Sequence, residues 1–320
     1  MYVVGNKGGA ITLMLVALLF GGTFGPLMLF LERRGRLPQH IYLDYSIANL
    51  LAAVLIALTI GQIGESKAGM PNFLTQLSQD NWPSVLFAMA GGLALNLGAA
   101  PRNSGDADHS SYQSKPGTAE FIEQVEKQRT IKILQASTSS VMQVIGSNKL
   151  LGVGLALFAG MCFSIFAPAF NLATNDQWHV LKKGVPHLVV YTSFFYFSVS
   201  GFVLGFCVNV WFLYRPLAGV PPSTFGAYLS DWNGRHWALL AGLLCGFANG
   251  FQFMGGQAAG FATADIVQAV PLVSTFWDVV LFGEYRKSSR RTYLLLASML
   301  IMFVIALGVL VASAGHRRTV

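Results

Sequence analysis

The chain has 320 residues, of which 53% are hydrophobic and 11% are charged, and its formal net charge is +7. Soluble domains carry about 25% charged residues, so this composition excludes an ordinary soluble domain. It predicts an all-α membrane protein instead, because a helix of roughly 20 apolar residues crosses the hydrocarbon core of a bilayer.

Eight apolar stretches predict about eight transmembrane helices. In chain order they span residues 10–31, 42–63, 83–100, 150–173, 189–214, 237–258, 262–283 and 293–313. The first stretch is longer than the apolar region of a signal peptide and runs into the basic sequence ERRGR, with no small-residue cleavage pattern. We therefore expect it to remain in the mature chain.

Residues 101–149 form the only long polar segment and divide the chain unequally. Three predicted spans lie in residues 1–100 and five in residues 150–320. The segment begins with a stretch rich in Ser, Gly and Pro, typical of a flexible linker, and continues with the pattern of a short amphipathic helix. We expect this helix on the cytosolic membrane surface or against the bundle. A helix that docks a partner is the alternative.

A short internal repeat relates the two parts. LFGGTFGPLM in residues 19–28 resembles LFAGMCFSIFAPAF in residues 157–170, since both begin with Leu-Phe, continue with small residues and Phe, and reach a proline. Internal repeats are common in transporters, whose sites lie where the two halves meet. Three spans against five, however, is not the division that a simple duplication predicts.

The basic residues are concentrated in alternate loops. With the N-terminus outside, fifteen Lys and Arg residues lie in the inside loops and six lie outside. This distribution follows the positive-inside rule and predicts that both termini are outside. It also accounts for the basic net charge without a nucleic-acid partner.

Carboxamide side chains interrupt the apolar stretch that follows residue 248. Asn249, Gln252, Gln257 and Gln268 each donate and accept hydrogen bonds, which suits a neutral heterocycle bearing amide groups. They are therefore the candidate substrate-binding residues. The alternative role of such groups in a membrane is to link helices to one another.

Asp265 is the candidate proton-coupling residue, because a carboxylate in apolar surroundings either has a partner or takes up a proton. The alternative is a position at the outer interface or at a helix start, where acids are favoured. An intramembrane enzyme that pairs Asp265 with Asp278 is the weaker hypothesis, since the sequence has no HExxH, histidine-box or Walker A motif. We predict no enzyme activity, no cofactor and no metal site.

Long stretches of the chain are characteristic of one family. They include LERRGRLPQHIYLDYSIANLLAA, YLSDWNGRHWALLAGLLCGFANG and FQFMGGQAAGFATADIVQAVPLVSTFW. With these the chain resembles the plant ureide permeases, ten-helix members of the drug/metabolite transporter superfamily. The resemblance implies import of allantoin and related oxo-heterocycles such as uracil or xanthine, together with protons, across the plant plasma membrane.

The resemblance is interrupted after Gly98, where relatives continue the third helix and add two more. The chain is thus similar to a ten-helix transporter of two inverted five-helix repeats from which two helices of the first repeat are missing. Because the missing number is even, the helices that follow keep their orientation.

Two functions remain open on this basis. The first is proton-coupled uptake of ureides by this chain. The second is a transport-inactive shortened form or degenerate copy that forms a homo-oligomer or a hetero-oligomer with full-length relatives, because the loss of two helices uncovers faces of the others.

Overall fold

The computed structural model describes residues 7–64, 66, 70–78, 82–103, 147–175, 187–215, 221–259, 267, 269–282 and 290–316. Within these ranges the chain folds into helices joined by short connections. In chain order the helices are α1 (Lys7–Arg33), α2 (Pro38–Leu58), α3 (Phe73–Leu77), α4 (Trp82–Asn103), α5 (Ser147–Thr174), α6 (Val190–Tyr214), α7 (Phe225–Ser230), α8 (Arg235–Ala259), α9 (Val270–Phe282) and α10 (Arg290–His316). Each predicted span overlaps one of the eight longer helices.

Six helices in the described part of the chain have the length and hydropathy needed to cross a membrane: α1, α2, α4, α5, α6 and α8. The apolar part of α10, Tyr293–Ala306, is shorter. Helix α9 has 13 residues and rises about 20 Å, less than the hydrocarbon thickness of about 30 Å. The first part of its predicted span lies outside the described residues. The chain is therefore an all-α multi-pass membrane protein.

Two prolines lie inside long helices, Pro26 in α1 and Pro168 in α5. Both belong to the two similar sequences that define the internal repeat. Each proline removes one backbone donor from the helical ladder and leaves a carbonyl without its usual partner. The repeated sequences thus form the same local structure.

The six long helices pack with an internal symmetry. If α1, α2 and α4 are replaced by α5, α6 and α8, and the reverse, the same helix pairs are in contact. Helix α8 packs on α1 and α2, and α4 packs on α5 and α6. Helices α2 and α6 pack on each other between these two groups. We call α1, α2 and α4 the first unit, and α5, α6 and α8 the second unit. The third helix of each unit therefore packs on the first two helices of the other.

Glycines make these crossings close. A Cβ atom at Gly246 of α8 would lie 2.9 Å from the carbonyl oxygen of Asn49 in α2. A Cβ atom at Gly92 of α4 would clash with the carbonyl oxygen of Phe197 in α6. In both units a glycine of the third helix thus allows it to approach the backbone of the other unit's second helix.

Phenylalanine rings fill the centre of the second unit, where α5, α6 and α8 meet. The rings of Phe170 and Phe253 are stacked, with centroids 3.7 Å apart and an interplanar angle of 6°. Phe194 and Phe197 pack on Phe253 from α6. Burial of such large rings, together with their mutual contacts, stabilises the helix packing here.

Helices α9 and α10 break the exchange pattern, because both pack on α1. Within the described residues α5, the counterpart of α1, packs on α4 and α6 and, through Phe170 and Phe253, on α8. No helix of the described part of the chain covers the outward face of α5, where Leu157, Met161 and Ile165 are each more than half exposed. Helix α1 of the first unit is thus covered by α9 and α10, whereas no described helix covers the corresponding side of α5 in the second unit.

Candidate substrate site and the two ends of the bundle

Helix α8 carries three of the five predicted site residues: Asn249, Gln252 and Gln257. Asn249 and Gln252 are three residues apart and share one helix face. Gln252 is buried, whereas Asn249 and Gln257 are partly buried. Asp265 and Gln268 lie outside the described residues.

A weakly held polar contact joins α8 to α2. The hydroxyl of Tyr45 donates to the sulfur of Cys245 at 2.9 Å, and the Nδ2 of Asn249 donates to the same sulfur at 3.6 Å. A thiol sulfur is a weak acceptor. Both donors can therefore exchange this bond for a bond to a carbonyl oxygen at little cost.

Asn49 lies one helical turn after Tyr45 on α2 and faces α8 at the level of Gly246. Its Oδ1 is buried and accepts no hydrogen bond. Leaving a buried acceptor unsatisfied costs about 1–3 kcal/mol. Asn49 thus brings a buried acceptor without a hydrogen bond to the contact between α2 and α8.

An aromatic ring from α1 completes this region. Phe24 is stacked on Tyr45 with ring centroids 6.0 Å apart and an interplanar angle of 30°. We call Phe24, Tyr45, Asn49, Cys245 and Asn249 the amide site. It combines a flat aromatic surface with donors and acceptors, which is the chemistry that holds a flat polar heterocycle.

Sequence reasoning did not identify Tyr45 and Asn49. They are spaced i, i+4 within the second predicted span, so the sequence does place them on one helix face. The contact between Tyr45 and Cys245 joins residues 200 positions apart in the chain, so it follows only from the packing of α2 on α8.

A buried group of charges lies at one end of the bundle and connects the two units. The Arg36 side chain pairs with Asp44 at 2.5 Å and with Asp231 at 3.3 Å. His40 Nδ1 lies 2.7 Å from the same carboxyl group of Asp231, and Arg235 Nε lies 3.2 Å from Asp44. We call Arg36, His40, Asp44, Asp231 and Arg235 the ionic cluster. Buried charges of this kind are stable only when they are paired.

The cluster shifts two pKa values outside the membrane-spanning segments. Burial and the hydrogen bond that Tyr228 donates to Asp44 raise the pKa of Tyr228, which keeps its hydroxyl protonated. Burial alone would raise the pKa of Asp231, but the hydrogen bond to His40 and the charge of Arg36 lower it below its ordinary value of 3.8. Ionised Asp231 therefore stabilises the fold above pH 3.8, and this contribution is lost as the pH falls through the lowered value.

Neutral hydrogen bonds join the units at the opposite end. The Nε2 of Gln76 in α3 donates to the carbonyl of His187 at 3.1 Å, and its Oε1 accepts from the amide of Val189 at 2.9 Å. Gln76, which precedes α4, thus binds the start of α6. In the same way Asp231, which precedes α8, binds side chains at the start of α2. Among the described residues, one end joins the units through charges, and the other through the carboxamide of Gln76.

These features define a multi-pass membrane bundle of two exchanged units with a polar, aromatic site between helices. The sequence profile of the ureide permease family matches residues 41–107 and 99–313. The chain belongs to the ureide permease family.

Several curated relatives are similar to the chain over nearly its whole length. Ureide permease 2 of Arabidopsis thaliana is 48% identical over 409 residues, covering 99% of the chain and 100% of the relative. Ureide permease 5 of the same plant is 47% identical over 401 residues, covering 99% and 97%. Probable ureide permease A3 of Vigna unguiculata is 42% identical over 376 residues, covering 92% and 100%. No solved structure matches the chain significantly.

The length of these alignments bears on the predicted interruption after Gly98. An alignment of 409 positions is longer than the 320-residue chain, so the relative carries residues that have no counterpart here. The two profile matches overlap at residues 99–107, next to Gly98. The loss of two helices after Gly98 stays a prediction.

Proposed function

We propose that the chain transports ureides and related oxo-nitrogen heterocycles, including allantoin, uracil and xanthine, together with protons, across the plasma membrane. The relatives support this proposal, because they are named ureide permeases. The structural observation that carries it is the amide site, where the unsatisfied Oδ1 of Asn49 and the weakly held Nδ2 of Asn249 lie on facing helices.

The chemistry of a ureide fits these two groups. Such molecules place N–H donors beside carbonyl acceptors, and a carboxamide pair offers the complementary acceptor and donor. Asn49 would accept from the solute N–H, and Asn249 would donate to its carbonyl. The ring of Phe24 would contact the face of a flat heterocycle such as uracil. Gln252 and Gln257 of α8, and Gln268 beyond it, are further candidates for hydrogen bonds to the solute.

Uptake of labelled allantoin by transport-deficient yeast tests the amide site. We expect Asn49→Leu and Asn249→Leu each to raise the KM for allantoin about tenfold, because each removes one hydrogen bond worth about 1 kcal/mol or slightly more. The matched control is Asn175→Leu, since Asn175 is exposed and its Nδ2 bonds to the Oδ1 of Asn171 one turn earlier. An unchanged KM in both site variants, at equal amounts of protein in the membrane, would rule the site out.

Proton coupling is proposed for Asp265. We expect Asp265→Asn to abolish the stimulation of allantoin uptake by external acid, because the amide takes up no proton. The measurement is the initial rate of uptake at several external pH values, with Asp278→Asn as the control in the same apolar stretch. If Asp265→Asn retains the full pH dependence, the coupling residue lies elsewhere.

A second candidate function is a transport-inactive form that pairs with another copy or with a full-length relative. The open face of α5 favours it, because α1, the counterpart of α5, is covered by α9 and α10. A membrane helix whose usual neighbours are missing can bury that face against another chain.

A further inference from the structure

A groove runs along the exposed side of α6, at the same end of the bundle as the ionic cluster. It has a volume of about 520 Å³, within the range of about 300–1,000 Å³ that is usual for ligand sites. The residues that line it are Phe206, Cys207, Val210, Trp211, Tyr214 and Arg215. They recur every three to four residues and therefore follow one face of the helix. The groove is thus apolar along its length and carries a single charge at one end.

The charged end of the groove is held in place by the segment that leads into α7. The amide of Ser223 donates to the carbonyl of Leu213 at 2.7 Å, and the amide of Phe225 donates to the hydroxyl of Tyr214 at 3.4 Å. The hydroxyl of Ser223 in turn contacts His40 of the ionic cluster at 2.9 Å. The end of α6 is therefore fixed in the folded protein, so a ligand of the groove does not have to order it.

The length of the groove corresponds to one leaflet of a bilayer. From Phe206 to Arg215 a helix rises about 14 Å, close to half of a hydrocarbon core of about 30 Å. Trp211 and Tyr214 are 59% and 55% exposed, and such side chains concentrate at the boundary between membrane and water. The predicted topology places this boundary on the cytosolic side. The groove thus extends from the polar boundary of the cytosolic leaflet towards the middle of the membrane.

Arg215 gives the groove an available cation at the membrane boundary. The side chain is exposed, and its guanidinium carbon lies 5.4 Å from the centre of the Trp211 ring. In the part of the chain that the structure describes, Arg36 and Arg235 pair with carboxylates, whereas Arg215 pairs with none. The next five residues, PLAGV, add no acid. Its N–H donors are therefore free to bind an anion, and a guanidinium matches two oxygens of a phosphate.

We propose that the groove binds an anionic phospholipid of the cytosolic leaflet, with its phosphate at Arg215 and an acyl chain along Val210 and Cys207 towards Phe206. This leaflet carries the anionic lipids of the membrane. A zwitterionic choline lipid fits less well, because its ammonium group brings a second cation close to Arg215. The lipid site shares no residue with the amide site and does not depend on the proposed transport function.

Photo-crosslinking in nanodiscs of phosphatidylcholine tests the lipid site. The full chain is reconstituted with a small fraction of phosphatidylglycerol that carries a diazirine on its acyl chain, or with phosphatidylcholine that carries the same group. We expect the phosphatidylglycerol probe to give the larger yield of adduct on residues 206–215, as measured by mass spectrometry. Arg215→Gln should lower this yield about fivefold, the equivalent of about 1 kcal/mol.

Arg34→Gln is the matched control for this substitution. Arg34 is exposed at the same end of the bundle, and its guanidinium carbon lies 4.1 Å from the centre of the Phe30 ring, but it does not line the groove. We expect this variant to keep the parent yield of adduct. An equal loss in both glutamine variants would overturn the lipid site, because it indicates general attraction by surface charge. Equal yields from the two probes in the parent chain would overturn it as well.

Two substitutions of Cys207 test the groove itself while Arg215 is kept. The Cys207 thiol is exposed, so a larger side chain can enter the groove without displacing a packed helix. We expect Cys207→Trp to fill the groove and lower the yield of adduct several-fold, and Cys207→Ala to retain the yield. An unchanged yield in a folded Cys207→Trp variant, or adduct that maps only to other parts of the chain, would overturn the assignment. This pair decides the proposal even if Arg215→Gln does not fold.

Discussion

Gly246 shows how a single residue sets the packing of two helices. A side chain at this position would meet the Asn49 carbonyl at 2.9 Å and the Cβ of Ala52 at 2.5 Å, and neither atom can move without moving α2. We expect Gly246→Val to destabilise the protein by about 1–3 kcal/mol through overpacking. The measurement is the temperature at which the detergent-purified protein loses its size-exclusion peak.

Gly160 of α5 provides the control for this substitution. A Cβ atom there would meet nothing within 4 Å, so Gly160→Val adds the same side chain in open surroundings. We expect its melting temperature to stay close to that of the parent. Equal loss of stability in both valine variants would show that helix propensity, and not the α2–α8 contact, determines the effect.

Residue spacing allowed part of the candidate site to be predicted. Asn249 and Gln252 lie on one face of α8, as their separation of three residues indicates. The sequence could not show that Tyr45 and Asn49 of α2 lie against α8, because that depends on the packing of two distant helices. The positive-inside pattern assigns Arg36 and Arg235 to inside loops and gives them no partner. Their carboxylate partners became identifiable when the two units were brought together.

At the scale of elements, apolar length located the helices but not all of their ends. Helix α4 continues to Asn103, past the end of the apolar run at residue 100, because Pro101 lies in the last turn and interrupts few hydrogen bonds. Helix α9 begins at Val270 with Pro271 in its first turn, where proline is favoured. The short helices α3 and α7 were not predicted, since five or six residues give too little periodicity.

At the scale of the whole molecule, the open face of α5 allows the two candidate functions to be separated. We expect the 320-residue chain to take up labelled allantoin. A version with the missing segment restored after Gly98 should do so faster, because α5 would then be covered as α1 is. The measurement compares initial rates at equal amounts of protein in the membrane.

Equal rates in the two versions would exclude the inactive form and show that the open face of α5 does not limit transport. Uptake by the restored version alone would contradict transport by the shorter chain and favour the pairing function. Co-purification of differently tagged copies would then test that function directly.

The crossing of α2 and α6 has a consequence for motion. When the two units are exchanged, the α1–α8 contact becomes the α5–α4 contact, whereas the α2–α6 contact is converted into itself. The two packed groups are α8 with α1 and α2, and α4 with α5 and α6. If these groups rock so that each end opens in turn, contacts between them must break at one end while they form at the other, and those at the α2–α6 crossing can persist. The crossing is then the fulcrum of the movement, and substitutions there should slow opening towards both sides of the membrane alike.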